Sequence, residues 1–110
     1  MVSNGSFIQL ASSFPEVTQL PHFEKISFRV KKKIFATLSE EKRQAMVILS
    51  LVDQSVFCAF NKEIIYPVPG KWGMQGCTYI NLTKLPKEML NDLLTTAYNK
   101  CKKKPPAGGL

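Results

Sequence analysis

The chain has 110 residues, of which 45% are hydrophobic, and fifteen Lys and Arg against eight Asp and Glu give it a formal net charge of +7. This length and composition predict a single domain with one hydrophobic core and exclude a largely disordered chain. No apolar run approaches the roughly 18 residues of a transmembrane helix, so no membrane span is expected. Four lysines lie in the last eleven residues, so the excess positive charge has two explanations: a solubilising tail, or attraction to a polyanion.

The first predicted element is a helix capped by Ser6. Pro15 should end this helix, because the residue before a proline disfavours helical backbone. Residues 15–24, with Pro21 among them, are predicted to be a connector. The apolar face of the helix has the spacing i, i+3, i+4, i+7 and consists of Phe7, Leu10, Ala11 and Phe14.

From Lys25 the apolar residues recur with a period of two, which predicts a strand with one apolar and one cationic side. A tight turn at 31–33 should follow. A continuously apolar run further along is typical of a central strand that is covered on its faces. We therefore predict a three-stranded antiparallel meander made of residues 25–31, 34–38 and 45–49.

Ser50 and Asp53 match the helix-capping pattern and predict a second helix with Val52, Val56 and Phe60 on one face. Two short strands are predicted at 63–68 and 77–82, joined by a glycine-rich loop. Pro86 suits the first turn of a final helix. The apolar stripe of this helix consists of Met89, Leu90, Leu93, Leu94, Ala97, Tyr98 and Cys101.

The predicted order of elements is α-β-β-β-α-β-β-α. Because strands and helices do not alternate one for one, a parallel sheet is not expected. The expected fold is of the α+β class, an antiparallel sheet of about five strands with helices packed on one face. We expect one domain over residues 1–104 and a flexible C-terminal tail at 105–110.

The chain is poor in the residues that most enzymes use. His22 is the only histidine, and Cys58, Cys77 and Cys101 are far apart, without metal-ligand spacing. Three separated cysteines favour reduced thiols in a cytoplasmic protein. Cys77 is the best-placed thiol for reactivity, because it begins a strand behind the glycine-rich loop. We expect no catalytic residues, no cofactor and no metal.

The strongest functional signal is a group of cations in and after the first predicted strand. Alternation should place Lys25, Arg29, Lys31 and Lys33 on its non-core side, with Lys32 at the turn. In the glycine-rich loop, Lys71 and Trp72 could add a charge and a stacking surface for a nucleic acid. The alternatives are an ordinary solvated sheet face, and a shaped loop whose tryptophan packs on the core.

Three segments carry a resemblance to a known family. They are HFEKISFRVKKKIFATL at 22–38, YPVPGKWGMQGCTYINL at 66–82 and the PKEMLNDLL helix. Together they resemble the MmcQ/YjbR family of small bacterial proteins. That resemblance implies a CyaY-like α+β fold with a double-wing arrangement. Similar wings are attributed to the DNA-binding domain of a phage transcription activator, so the resemblance implies DNA binding. Arg29 and Lys33 lie in its first signature, and Lys71, Trp72 and Gly73 in its second.

The sequence therefore predicts a cytoplasmic, monomeric, non-enzymatic module that binds DNA with low specificity. The predicted contact residues are Lys25, Arg29, Lys31, Lys32, Lys33, Lys71 and Trp72. One alternative is a protein-interaction or regulatory module with an exposed apolar patch around Trp72, Met74 and Tyr79. The other is a small-ligand binder whose pocket lies between the glycine-rich loop and the sheet, beside Cys77 and Trp72.

Overall fold

A six-stranded antiparallel sheet forms the centre of the computed structural model, which describes residues 1–102. The strand order is β1-β2-β3-β4-β6-β5, so only β5 and β6 depart from the order along the chain. The α+β class and the antiparallel sheet are as predicted. The elements are α1 Asn4–Ser12, β1 Val17–His22, β2 Lys25–Val30, β3 Lys33–Ser39, β4 Gln44–Ile48, α2 Leu51–Cys58, β5 Ile65–Pro67, α3 Lys71–Met74, β6 Cys77–Asn81 and α4 Lys87–Lys102.

The hydrophobic core lies between one face of the sheet and the helices α1 and α4. The Phe7 ring of α1 meets the Phe28 ring edge to face, with centroids 5.6 Å apart, and Tyr98 of α4 meets Phe35 in the same way at 5.7 Å. The Tyr98 hydroxyl also donates to the Pro15 carbonyl at 2.8 Å. The predicted stripe of α4 is confirmed, because its central residues are all buried: Leu90, Leu93, Leu94, Ala97 and Tyr98.

The prediction of a connector at 15–24 is wrong, because β1 lies within it. β1 pairs with β2 from Val17 opposite Val30 to His22 opposite Lys25. Its four middle residues are exposed, so the backbone ladder rather than buried side chains defines this strand, and no apolar alternation marks it. Pro21 is tolerated because β1 is an edge strand, where a missing N–H need not break a ladder.

Two local details also differ from the sequence prediction. The cap of α1 is Ser3, whose hydroxyl accepts from the Ser6 N–H at 3.0 Å, so Ser6 lies inside the helix. The predicted glycine-rich loop contains a short helix, α3. The proposed cap of α2 is confirmed, since the Ser50 hydroxyl accepts from the Asp53 N–H. Lys103, Lys104 and the predicted tail at 105–110 lie outside the described residues.

The apolar face predicted for α2 exists but is turned to solvent. Val52, Val56 and Phe60 are 74%, 65% and 50% exposed. α2 packs instead through Phe57, Cys58 and the buried Gln54. Helical spacing alone could not show this, because it identifies residues that share a face and not which face is covered.

Candidate functional site

The sheet face opposite α1 and α4 carries no acidic residue in its paired strands; we call it the open face. Residues directly opposite each other in antiparallel strands project to the same side, which identifies its members from the strand register. They are Thr18, Leu20, His22, Lys25, Ser27, Arg29, Ile34, Thr37, Ser39, Gln44, Met46, Ile48, Tyr66, Cys77, Tyr79 and Asn81.

A groove with a volume of about 410 Å³ crosses the open face. Trp72 of α3 forms part of its wall and is 61% exposed. The groove is therefore the cavity expected between the glycine-rich loop and the sheet. It is lined mostly by apolar and aromatic side chains with a few polar ones: His22, Lys25, Ile34, Thr37, Met46, Ile48, Val68, Trp72, Cys77 and Tyr79.

Backbone geometry in the glycine-rich loop places Trp72 at the groove. Gly76 has a φ of +101°, and a side chain there would collide with the Leu49 carbonyl oxygen. A side chain at Gly73 would collide with the Val68 carbonyl oxygen. These two close approaches bring α3 against the ends of β4 and β5. The loop therefore has a fixed shape that depends on glycine.

Arg29 is held on the open face by a short chain of hydrogen bonds. Its Nε donates to the Ser27 hydroxyl at 3.0 Å, and that hydroxyl donates to the Leu20 carbonyl at 2.9 Å. Ser27 is fully buried. Because the Ser27 hydroxyl holds the Nε atom of the guanidinium, the Arg29 cation is oriented before a ligand binds. This lowers the entropy cost of binding.

The β2–β3 turn presents Lys31 and Lys32 with φ values of +52° and +73°. Positive φ at both central residues is the type I′ geometry that suits a two-residue hairpin. Neither residue is glycine or asparagine, so the turn predicted at 31–33 exists but lacks the residues usual for its type. Both lysines are exposed at the tip.

Lys33 corrects the predicted alternation. It pairs with Val30, whose side chain is in the core, so Lys33 begins on the α4 side of the sheet rather than on the open face. The register also shifts between Phe28 and Arg29, and Phe35 is the extra residue on β3. This bulge is what turns Ile34 onto the open face, beside Arg29.

A second, smaller cavity of about 200 Å³ adjoins the groove. It is lined by Lys33, Ile34, Ile48, Lys100 and Cys101, and its two isoleucines also line the groove. The Cys101 thiol donates to the Lys33 carbonyl at 3.6 Å. Ile34 and Ile48 therefore form a wall between the two cavities. The groove on one side of this wall contains aromatic rings, and the smaller cavity on the other side contains lysines.

Lys100 is a candidate residue that the sequence did not suggest, because its position near the end of α4 is explained by the helix dipole alone. Burial raises the pKa of Cys77 and of Cys101, and the positive charge of Lys100 lowers both. The ammonium therefore lies near two thiols that are far apart in sequence. No single-sequence signal could have shown which strand ends the end of α4 approaches.

The predicted contact residues thus come together only in part. Lys25 and Trp72 line the groove, Arg29 lies on the open face, and Lys33 lines the smaller cavity. Lys71 is exposed at the start of α3 and lines neither of these two cavities. His22, the only histidine of the chain, also lines the groove.

Between residues 1 and 102 no three His, Cys, Asp or Glu side chains are grouped closely enough to hold a metal ion. In the same range no helix combines the length and the apolar character needed to cross a bilayer.

Fold and site together define a small α+β protein with one open, cation-bearing sheet face. The YjbR family model matches residues 12–100, and the chain belongs to the YjbR family. Its fold is similar to a crystal structure of a Deinococcus radiodurans protein with a DUF419 domain, with a TM-score of 0.82 and 16% identity over 99% of this chain and 86% of that one. No curated protein matches the chain. The family resemblance seen in the sequence is confirmed.

Proposed function

We propose that this protein binds DNA with low sequence specificity through its open face and the β2–β3 turn. The observation that carries the proposal is the distribution of charge on the sheet. Lys25 and Arg29 lie on a face whose paired strands contribute no carboxylate, and Lys31 and Lys32 extend from its edge. A basic patch on one face of a small domain is the electrostatic footprint of phosphate binding.

The protein-interaction alternative receives less support. It needs Trp72, Met74 and Tyr79 in one exposed patch. Trp72 and Tyr79 line the groove, whereas Met74 lines a different shallow depression with Pro67 and Pro69. Met74 therefore does not line the groove that Trp72 and Tyr79 share.

The expected affinity follows from the number of phosphates that the cations contact. Four contacts, from Lys25, Arg29, Lys31 and Lys32, predict a slope of log K against log salt concentration of about −3.6, at about −0.9 per contact on duplex DNA. The dissociation constant should lie at roughly 10⁻⁴ to 10⁻⁶ M at physiological salt. The open face carries no helix that could lie in the major groove of DNA as a recognition helix does. The affinity should therefore depend only slightly on base sequence.

Fluorescence anisotropy of a labelled duplex at several salt concentrations tests the proposal. Replacing Lys31 and Lys32 together by glutamate should abolish binding. The matched control replaces Lys84 and Lys87 by glutamate, which changes the net charge equally. Both control lysines are exposed; Lys84 follows β6 at the end of the sheet opposite the β2–β3 turn, and Lys87 begins α4. A role for this surface would be refuted if the affinity did not depend on salt concentration, or if both double variants lost it equally.

A further inference from the structure

We propose that the groove and the adjoining lysine cavity form a site for one unstacked nucleotide, with its base against Trp72 and Tyr79 and its phosphate between Lys33 and Lys100. The inference rests on the proposed function and makes it more specific. It assigns a preferred substrate, single-stranded nucleic acid, and it adds Lys100 to the binding residues.

The two cavities have complementary chemistry and lie side by side. The groove, at about 410 Å³, has a volume in the range of small-ligand sites, roughly 300 to 1,000 Å³. Its lining matches such sites in kind, being largely apolar and aromatic with a few polar groups. The smaller cavity contributes two lysines across the shared wall of Ile34 and Ile48. A ligand that joins a planar ring to an anion would match both cavities, because its ring suits the aromatic groove and its anion suits the two lysines.

One aromatic side chain of the groove is held in place by its neighbours. The Tyr79 ring packs edge to face against Tyr66, with centroids 5.8 Å apart. The Tyr66 hydroxyl in turn accepts a hydrogen bond from the Gln44 amide at 3.1 Å. The close packing of Gly73 fixes the backbone next to Trp72, whose ring is 61% exposed and open to a ligand. A base that stacks on Tyr79 therefore meets a ring that is already held, which lowers the conformational entropy lost on binding.

The groove takes its hydrogen-bonding capacity from five lining residues: His22, Lys25, Thr37, Trp72 and Tyr79. Hydroxyl and imidazole groups can both donate and accept, and the ammonium and the indole N–H only donate, so this set does not select strictly among the bases. Sequence tolerance is therefore expected, as for other stacking platforms. A base within a duplex cannot use this groove, because its faces are covered by its stacked neighbours. The geometry therefore favours single strands over duplexes.

The chain has one tryptophan, so its fluorescence reports directly on the groove. Trp72 emission should be followed while the protein is titrated with a short oligothymidylate, with an abasic strand of equal phosphate number, with the same duplex used above, and with thymidine 5′-monophosphate. We expect the oligothymidylate to quench Trp72 and to bind tighter than the abasic strand, by roughly 5- to 150-fold for one stacked base. The mononucleotide shows whether the natural ligand is a strand or a free nucleotide. If thymidine 5′-monophosphate saturates the protein only at a far higher concentration than the oligothymidylate does, the ligand is a strand. If both saturate it at the same concentration, the ligand is a free nucleotide.

The outcomes separate this inference from the proposed function. Equal affinity for base-bearing and abasic strands, with Trp72 emission unchanged, overturns the nucleotide site and leaves DNA binding by charge intact. Absence of salt-dependent binding to every strand and to the duplex overturns both.

Two substitutions test the residues themselves with a labelled strand. Trp72→Ala should remove the preference for the base-bearing strand over the abasic one, and its side chain is exposed enough for the fold to tolerate the change. Lys100→Gln should reduce the salt slope on single strands by about 0.7, the value for one lost phosphate contact. Lys84→Gln is the control, since this exposed lysine lies at the other end of the sheet. If Lys100→Gln and Lys84→Gln give the same slope, the phosphate is not held where we infer.

Discussion

The side-chain amide of Gln54 donates to the carbonyl oxygen of Gly73 at 3.0 Å and so ties α2 to the short helix that carries Trp72. The same nitrogen lies 3.2 Å from the Cys77 carbonyl and 3.1 Å from the Thr78 hydroxyl. An amide nitrogen has two hydrogens, so three acceptors share them. Gln54 is thus a buried polar link between α2, β6 and α3, the short helix whose Trp72 lines the groove.

Gln54→Leu should destabilise the protein and loosen the groove. The substitution keeps most of the volume but leaves buried acceptors unpaired, which costs about 1–3 kcal/mol of unfolding free energy. Urea denaturation measures this loss, and the steady-state anisotropy of Trp72 should fall in the native protein. Gln75→Leu, at an exposed glutamine beside α3, is the control and should change neither quantity. Unchanged Trp72 anisotropy in Gln54→Leu would show that α3 is positioned without this link.

Alanine substitutions at Gly76 and Gly5 should change the stability of the protein in opposite directions. Alanine at Gly76 would collide with the Leu49 carbonyl oxygen and take an unfavourable positive φ, so Gly76→Ala should be among the most destabilising single changes, of the order of 4 kcal/mol. Gly5 lies within α1 with open space around it, so Gly5→Ala should stabilise by about 0.5–1 kcal/mol. Thermal melting of both variants against the wild type checks the sign of each effect. A neutral Gly76→Ala would contradict the close approach of this loop to β4.

Tyr98 links the end of α4 to the turn after α1, and its ring and hydroxyl can be tested apart. Tyr98→Phe removes only the hydrogen bond to the Pro15 carbonyl and should cost about 1 kcal/mol. Tyr98→Ala also removes a ring that contacts Phe14 and Phe35 and should cost about 3–5 kcal/mol. Denaturation of the two variants gives both numbers. Equal losses would assign the whole effect to the hydroxyl and contradict the packing of the ring.

Periodic patterns in the sequence predicted helices and strands correctly where one face of the element is buried, because burial creates the pattern. The stripe of α4 and the alternation of β2 follow from one face being covered, so both could be predicted. β1 could not, because its exposed side chains carry no pattern and only its backbone pairing with β2 defines it. The cap at Ser50 was predictable because the capping interaction is local.

The candidate site was predictable only in part, for the same reason. Lys25, Arg29 and Trp72 belong to motifs that the sequence displays. Lys100 lies near the groove because α4 ends beside β3 and β4, and that packing is decided by the whole core rather than by neighbouring residues. The bulge at Phe35 moved Lys33 off the open face, and a single extra residue in a ladder has no dependable sequence signal.

The three thiols should be poor nucleophiles in the native protein. Burial raises the pKa of Cys58, Cys77 and Cys101, and nearby lysines only partly offset this. Because the thiolate is the reactive form, iodoacetamide should modify the native protein at pH 8 more slowly than the urea-unfolded chain. The ordinary cysteine pKa near 8.5 applies to the unfolded chain. Rapid native alkylation of Cys77 would show an accessible, activated thiol and would favour a catalytic role over the one proposed.

The same shifts predict how stability depends on pH. Below about pH 8 the thiols are protonated in both the folded and the unfolded states, so their contribution to stability is fully present. Above the unfolded pKa the unfolded chain loses thiol protons first and is favoured, so stability falls as pH rises through the raised folded values. Urea midpoints measured between about pH 7.5 and 9.5 should therefore decrease, and less steeply when Cys58, Cys77 and Cys101 are all replaced by alanine. An identical slope in that variant would show that the thiols do not cause the loss.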